Sequence, residues 1–252
     1  MTLQTLHLCV DMQDRYLEQK PGAEALVGRV NRLVAGLEQR GIDTAWVFYG
    51  SKFGAYAPDV LTPAERPAAF AAIKEQVAAF SPWHPALPIT ERSAIFVKPG
   101  VDARFESPLN DYLKRIGNPR ELYSGVNGQP CVGSSAIGGI REGQQTAIAL
   151  AYTLSDRYPD MTATLAQRVE EIRTFTAKRL AEMQAAEQAL DRGYPESQFS
   201  SLMLTGAKAM ARALEQRPLH LLAGPELATW LGQPPSRPVA RLMKPEVATF
   251  SA

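Results

Sequence analysis

Short apolar runs alternate with amphipathic segments along most of the chain. Runs of four to eight apolar residues predict strands buried on both faces, and apolar residues recurring every three or four positions predict helices. The predicted strands are residues 5–10, 42–49, 94–98, 121–126, 146–151 and 218–223. The predicted helices are residues 23–40, 64–80, 107–116 and 131–142, with a short last helix that ends at Leu231. Strands that alternate with helices are typical of βαβ units, so we expect an α/β fold with a mainly parallel sheet covered by helices on both faces.

One segment is longer than an α/β domain of this kind requires. Apolar residues recur at helical spacing over residues 160–193, and a helix of about 30 residues is roughly 45 Å long. This helix either lies along the sheet or forms an arm that packs on a second subunit, and the sequence leaves both open. The residues after Gly232 are rich in proline and predict an irregular tail that wraps a neighbour or is loose. We therefore expect one domain over residues 1–232 and a C-terminal tail over residues 233–252.

Composition excludes several classes of protein. The chain has 252 residues, with 27 Lys and Arg against 26 Asp and Glu, and a net charge of +1 gives no basic surface for nucleic acid or an anionic membrane. No apolar run approaches the roughly 20 residues of a membrane span. The first residues lack the basic start and small-residue cleavage site of a signal peptide, and 2 cysteines are too few for a disulfide framework. We expect a cytoplasmic protein that binds neither nucleic acid nor membrane.

Three reactive residues follow predicted strands. Asp11 follows the first strand, Lys98 ends the third, and Cys131 follows the fourth through a short loop. Ligands of open parallel sheets bind beyond the carboxyl ends of the strands, where these side chains would meet. Taken singly, a carboxylate at such a position is more often a turn or cap acceptor, and a lysine is usually solvated. An acid, a base and a thiol on one rim instead predict a catalytic site.

The predicted arrangement suits nucleophilic catalysis by the thiol. A cysteine in the first turn of a helix faces unpaired N–H groups, and with the ammonium of Lys98 nearby we expect it to have a lowered pKa. Asp11 is expected to accept the thiol proton and to deliver it to a leaving amine. Backbone N–H groups of the loop before Cys131 are expected to bind an oxyanion, except at Pro130, which has no N–H.

Three motifs occur in a fixed order along the chain. They are LHLCVDMQDRY, AIFVKPGVDARFESPLNDYL and SGVNGQPCVGSSAIGGIREGQQ. They resemble the first strand with its D-x-Q, the lysine strand and the nucleophile loop of the isochorismatase-like cysteine hydrolases, and the resemblance covers roughly residues 3–155 and 218–232. It implies a three-layer α-β-α fold with a doubly wound, six-stranded parallel sheet, in which the helix at 160–193 is an insertion. It also implies a homo-oligomer, either a dimer or a tetramer.

The resemblance further implies roles for single residues. Cys131 would be the nucleophile, Asp11 the proton shuttle and Lys98 the third member of the triad. The N–H groups of Asn127 and Cys131 would form the oxyanion hole, and a cis peptide bond would join Val126 to Asn127. The residues expected to support the pocket without reacting are Gln13, Tyr16 and Val126.

Departures from the family pattern narrow the chemistry. Family members that bind zinc carry an aspartate and paired histidines after the second strand, whereas this chain reads VFYGSKFGAYAP there. We therefore expect no metal and no cofactor, with His7, His84 and His220 in structural roles. Cys9 is expected to be an inert packing thiol. Arg104 belongs to the segment that lines the pocket in relatives, and it either binds a substrate carboxylate or is solvated.

The function expected from these features is that of a cysteine hydrolase. Family members that cleave the vinyl ether of isochorismate lack the cysteine, so Cys131 indicates an amidohydrolase that acts on a non-peptide C–N bond. Its substrate would be a small amide, ureido or carbamoyl compound. The alternative is a catalytically inactive scaffold or binding protein, which the long helix and the altered pocket segment favour. A redox role would need a resolving cysteine, and Cys9 lies on a buried strand.

Overall fold

The computed structural model describes residues 4–104, 107–155, 157, 164–195 and 207–232. Seven strands in these ranges form one sheet in the order β3-β4-β2-β1-β5-β6-β7. The strands are β1 (Thr5–Val10), β2 (Thr44–Tyr49), β3 (Gly54–Tyr56), β4 (Ala94–Lys98), β5 (Arg120–Val126), β6 (Thr146–Leu154) and β7 (His220–Leu222). The helices are α1 (Asp14–Leu17), α2 (Ala23–Glu38), α3 (Arg66–Ala78), α4 (Pro108–Arg115), α5 (Ser134–Arg141), α6 (Leu165–Asp191), α7 (Ala207–Gln216) and α8 (Gly224–Gly232). A 3-10 turn spans Pro58–Val60, and a π-helical turn spans Gly128–Gly133.

Six of the strands are parallel and correspond to the six predicted apolar runs. The doubly wound parallel sheet is therefore confirmed, but it has a seventh strand that the sequence does not predict. β3 pairs antiparallel with β4 at one edge of the sheet. Its three residues have neither the length nor the alternation typical of a strand, so the strand exists because of its pairing with β4.

The core lies on both faces of the sheet, as the three-layer prediction requires. Leu6, Leu8 and Val10 of β1 pack with α4, α5, α6 and α7 on one face. Cys9, on the same strand, packs on the other face with α2 and α3. α8 joins α2 over the end of the sheet that carries β6 and β7. Successive strand residues point to opposite faces, so continuous apolar runs are what a sheet buried on both faces requires.

The long helix α6 packs on its own domain. Thr164 forms a capping box at its start, because Thr164 Oγ1 accepts from the N–H of Gln167 over 3.2 Å and Gln167 Oε1 accepts from the N–H of Thr164 over 2.8 Å. Ile172, Phe175 and Met183 are buried in the same core as α5 and α7. Residues 160–163 and the tail at 233–252 lie outside the described residues. None of the helices in the described ranges is both long and apolar enough to cross a bilayer.

Candidate active site

Three strand ends bring Asp11, Lys98 and Cys131 together. β1, β4 and β5 run in the same direction, so their carboxyl ends lie along one edge of the sheet. Asp11 directly follows β1, Lys98 is the last residue of β4, and Cys131 follows β5 within the π-helical turn. Their exposed fractions are 0%, 1% and 5%. An acid, a base and a thiol therefore meet in a site that is almost closed to solvent.

Asp11 and Lys98 form a buried ion pair. Lys98 Nζ lies 3.0 Å from Asp11 Oδ2 and also donates to the carbonyl oxygen of Gly100 over 3.1 Å. Asp11 Oδ1 is buried and receives no N–H or O–H donor from the described residues. Burial lowers the pKa of Lys98, but its interactions with Asp11 and Cys131 outweigh that effect, so the net pKa is raised. The lysine is therefore held as an ammonium beside the carboxylate.

The thiol of Cys131 is influenced by both members of this pair, and its pKa is raised to about 12. Burial is the main cause, the negative charge of Asp11 adds to it, and the positive charge of Lys98 opposes it. The expectation of a lowered pKa is thus wrong for the resting protein. Desolvation of the thiolate exceeds the stabilisation that one ammonium supplies. Cys131 therefore rests as a neutral thiol.

The backbone of the loop that leads to Cys131 also differs from the expectation. The described residues contain no cis peptide bond, so the cis bond expected between Val126 and Asn127 is wrong. The chain turns instead because Asn127 adopts the left-handed conformation, with φ 57° and ψ 57°. The N–H of Cys131 donates to the carbonyl oxygen of Asn127 over 3.0 Å, and the N–H of Val132 shares that acceptor over 3.2 Å. The π-helical turn thus engages the Cys131 N–H expected to bind an oxyanion.

A glycine makes the close approach of β1 and β5 possible behind the site. Gly125 has φ 122°, and a Cβ built on it would lie 2.0 Å from the carbonyl oxygen of Val10. No other residue fits there without moving one of the two strands. Val126, one of the expected support residues, is the next residue and is fully buried in the core.

The other expected support residues lie beside the reactive groups. Gln13 is fully buried and joins two strand ends, since its Nε2 donates to the carbonyl oxygens of Tyr49 (3.1 Å) and Ser81 (2.8 Å), while its Oε1 accepts from the N–H of Tyr49 over 2.8 Å. Tyr16 is half-buried, and its pKa is raised. Burial is the main cause, and the interactions with Asp11 and Cys131 add to it. Gln13 therefore fixes the backbone, and Tyr16 borders the site.

Two aromatic residues at the site are missed by the sequence analysis. Lys98 Nζ lies 5.5 Å from the ring centre of Tyr49, a distance at which a cation is attracted to a ring face. The ring of Phe80 lies 4.8 Å from that of Tyr49 and 6.0 Å from that of Tyr16. Tyr49 ends the second strand, so the strand-end rule that found Asp11 and Lys98 also points to it. Phe80 follows a helix, and nothing in its local sequence marks it.

Arg104 does neither of the things expected of it. It is 2% exposed, and its Nη1 lies 2.8 Å from Glu121 Oε1, itself fully buried on β5. Both the solvated and the carboxylate-binding interpretations are therefore wrong, because Glu121 already supplies the carboxylate. The local sequence gives no sign of the partner, which is 17 residues away.

Two further titratable groups, both on β1, are held neutral by burial. His7 is fully buried between Ser124 Oγ (2.8 Å) and Thr44 Oγ1 (3.1 Å), and burial lowers its pKa to about 3. Cys9 is also fully buried, and burial raises its pKa to about 12. Within the described ranges, no three His, Cys, Asp or Glu side chains cluster in a way that would hold a metal ion.

Comparisons with known proteins agree with this architecture. The Isochorismatase domain profile matches residues 5–175. An isochorismatase family protein from Desulfovibrio vulgaris superposes with a TM-score of 0.53 at 12% identity, covering 92% of this chain and 100% of that one. An isochorismatase-like hydrolase from Alkaliphilus metalliredigens gives 0.50 at 16%, covering 68% and 91%. N-carbamoylsarcosine amidase from Thermoplasma acidophilum gives 0.49 at 15%, covering 63% and 88%.

A search of curated proteins finds no match to the chain. The likenesses to the Desulfovibrio vulgaris and Alkaliphilus metalliredigens proteins are at low identity and speak for the fold alone. The family match covers more than half of the chain, including the three strand ends that carry Asp11, Lys98 and Cys131. The chain therefore belongs to the isochorismatase domain family.

Proposed function

We propose that this protein is a cysteine hydrolase that cleaves the C–N bond of a small amide, ureido or carbamoyl compound. The observation that carries the proposal is that Asp11, Lys98 and Cys131 are buried together, with a 3.0 Å ion pair between Asp11 and Lys98 and with both of these charges acting on the thiol. Burying an ion pair is costly unless geometry compensates, so two charges beside a thiol in a closed site favour a catalytic role.

The first half of the reaction forms a thioester. Asp11 takes the thiol proton as Cys131 Sγ attacks the carbonyl carbon, which gives a tetrahedral oxyanion. The C–N bond then breaks, and the proton held by Asp11 passes to the departing nitrogen. Lys98 holds the Asp11 carboxyl group in place through the 3.0 Å ion pair and stabilises the sulfur as its negative charge develops. The raised pKa of the resting thiol favours proton transfer that is concerted with attack.

The second half hydrolyses the thioester. Asp11 takes a proton from an attacking water, the C–S bond breaks, and the thiol is re-formed with that proton. The N–H groups of Asn127 and Cys131 are our candidates for holding the oxyanion. The N–H of Cys131 donates to the carbonyl oxygen of Asn127 at rest, so it must exchange that acceptor for the substrate oxygen.

The experiment is a screen for product amine or ammonia with amides, ureido acids and N-carbamoyl amino acids. Cys131→Ala should abolish turnover, and a matched Cys9→Ala variant should retain it, because Cys9 is fully buried in the core on the opposite face of the sheet from Cys131. Mass spectrometry of the quenched protein should find the acyl group on Cys131. Turnover that survives in Cys131→Ala would contradict the proposal.

One observation favours the alternative of an inactive scaffold or binding protein. Cys131 is 5% exposed and rests as a neutral thiol, and both properties slow a nucleophile in the absence of substrate. The two functions are separated by the same screen combined with binding measurements. A scaffold would bind compounds without turnover and without acylation of Cys131, and Cys131→Ala would leave that binding unchanged.

A further inference from the structure

The segment after Lys98 is fastened to the helix after Cys131. The segment is residues 101–104, called here the post-lysine segment. The carboxylate of Asp102 lies directly against α5, because a Cβ built on Gly138 would lie 2.5 Å from Asp102 Oδ1 and 2.8 Å from Oδ2. Arg141 of the same helix donates from Nη1 to Asp102 Oδ2 over 3.2 Å. Asp102 is 6% exposed, so this contact between segment and helix is buried.

A hydroxyl adds a second link between the same two elements. Ser135 of α5 is fully buried, and its Oγ accepts from the N–H of Ala103 over 3.0 Å and lies 3.4 Å from the carbonyl oxygen of Val101. The N–H of Arg104 donates to Asp102 Oδ1 over 2.8 Å, which fixes the carboxylate on its own backbone. The post-lysine segment therefore has little freedom to slide along α5.

A third link ties the segment to β5, the strand that leads to the nucleophile loop. Arg104 Nη1 pairs with Glu121 Oε1 over 2.8 Å, and Tyr123 donates its hydroxyl proton to Glu121 Oε2 over 2.6 Å. Gly139 leaves room for this carboxylate, because a Cβ there would lie 2.3 Å from Glu121 Oε2. Two adjacent glycines of α5 thus each make space for one buried carboxylate.

We propose that Asp102 is a positioning residue that sets the spacing between Lys98 Nζ and Cys131 Sγ. Lys98 lies four residues before Asp102, and Cys131 lies three residues before the start of α5. A carboxylate clamped between the post-lysine segment and α5 therefore joins the elements that carry the ammonium and the thiol. The consequence for turnover rests on the proposed hydrolase function, but the spacing itself does not.

The test compares alkylation of Cys131 by two probes, anionic iodoacetate and neutral iodoacetamide, in the full-length protein. The measured ratio is the rate with iodoacetate divided by the rate with iodoacetamide. This ratio cancels changes in access and in thiol ionisation, and it rises with the positive charge near Sγ. Lys98→Ala calibrates the ratio when the ammonium is absent. The other variants are Asp102→Ala, Asp102→Asn and Gly138→Ala, with Gly36→Ala as the matched helix control, since a Cβ there meets nothing within 4 Å.

The proposal predicts a lower ratio in Asp102→Ala, by about fivefold, because the ammonium moves away from the sulfur. Gly138→Ala should lower the ratio in the same direction without any change of charge, since its methyl group displaces the carboxylate. The ratio should fall less in Asp102→Asn, because the amide oxygen of the asparagine still accepts from the N–H of Arg104. Gly36→Ala should match the original protein.

Other outcomes overturn the proposal. A raised ratio in Asp102→Ala together with an unchanged ratio in Gly138→Ala would show that only a negative charge was removed and that Lys98 did not move. A lowered melting temperature with unchanged ratios would make Asp102 structural only. If Asp102→Ala does not fold, Gly138→Ala decides alone, since alanine is a better helix former than glycine. None of these readings needs turnover, so a failed substrate screen would leave the positioning role separately decidable.

Discussion

Two charged neighbours shift the pKa of the Cys131 thiol in opposite directions. Asp11 raises the pKa of the thiol, and Lys98 lowers it. A single measurement of thiol reactivity therefore combines two effects, while variants of each neighbour separate them. Reactivity towards a small alkylating reagent follows the thiolate fraction, whereas the proposed hydrolysis also needs a group that accepts and returns the proton.

Asp11→Asn and Lys98→Ala should consequently change alkylation in opposite directions. At pH 9, iodoacetamide should alkylate Cys131 faster in Asp11→Asn and slower in Lys98→Ala, each by about tenfold, since a neighbouring charge shifts a pKa by about one unit or more. Hydrolysis should be lost in both, and substrate binding should persist in Asp11→Asn. Alkylation that changes in the same direction in both variants would contradict the assigned roles.

His7 should make the protein less stable in acid. Burial lowers its pKa in the folded state to about 3, while the unfolded chain titrates near 6.5. Between these values the unfolded state binds more protons, so the free energy of unfolding should fall as pH decreases, by up to about 1.4 kcal/mol per pH unit. Urea unfolding between pH 7 and 4 measures this slope.

His7→Gln should reduce that slope, because glutamine offers hydrogen bonds without a titrating proton. His84→Gln is the matched control, since His84 lies outside the sheet with its Nε2 3.4 Å from the exposed Glu24. A slope that is equal in His7→Gln and in the original protein would show that other groups cause the acid sensitivity.

At the scale of elements, prediction succeeds where an element can be recognised from its own residues. The run at Thr5–Val10 matches the predicted strand at both ends, because a strand buried on both faces must be apolar throughout. β3 exists because it pairs with β4, so its three residues show no strand pattern in the sequence. The π-helical turn at Gly128–Gly133 replaces the first turn of the predicted helix at 131–142, and α5 begins at Ser134.

The long helix α6 should stabilise the π-helical turn that carries Cys131. Phe175 is 7% exposed, and a Cβ on Gly133 would lie 3.0 Å from its ring, so the ring packs on the turn that carries Cys131. Phe175→Ala should lower the free energy of unfolding by about 3 kcal/mol and speed alkylation of Cys131 through greater exposure. Denaturant unfolding and alkylation rates check both effects.

Phe53→Ala is the control for this prediction, because Phe53 is 38% exposed and its loss should have little effect on either measurement. Unchanged alkylation in a destabilised Phe175→Ala protein would limit α6 to a general packing role. The helix would then have no particular connection with the site.

At the scale of the whole molecule, the position of the site could be predicted from the order of the elements in the sequence. The pKa shifts within it could not, because they depend on burial in the folded protein. Parallel strands deliver Asp11 and Lys98 to one edge, and that rule needs only the order of the elements. The direction of the pKa shift of Cys131 depends on how completely the folded protein excludes water, which spacing does not reveal. The pairing of Arg104 with Glu121 likewise depends on β5 lying beneath the post-lysine segment.

The extent of the domain and its assembly stay predictions that truncation can test. α8 closes the described domain, since Trp230 is 1% exposed and the Arg120 guanidinium carbon lies 4.5 Å from its ring centre. A chain that ends at Gly232 should therefore melt within about 2 °C of the full chain. A chain that ends before Trp230 should melt at a clearly lower temperature. Unfolding of the chain that ends at Gly232 would contradict the domain boundary.

Light scattering on the same proteins tests the expected dimer or tetramer. The full chain and the chain that ends at Gly232 should give the same oligomeric mass if α6 or another part of the domain joins the subunits. A lower mass on truncation, at an unchanged melting temperature, would show that residues 233–252 hold the subunits together. A monomeric full chain would contradict the expected assembly, and it would require that all groups of the active site come from one chain.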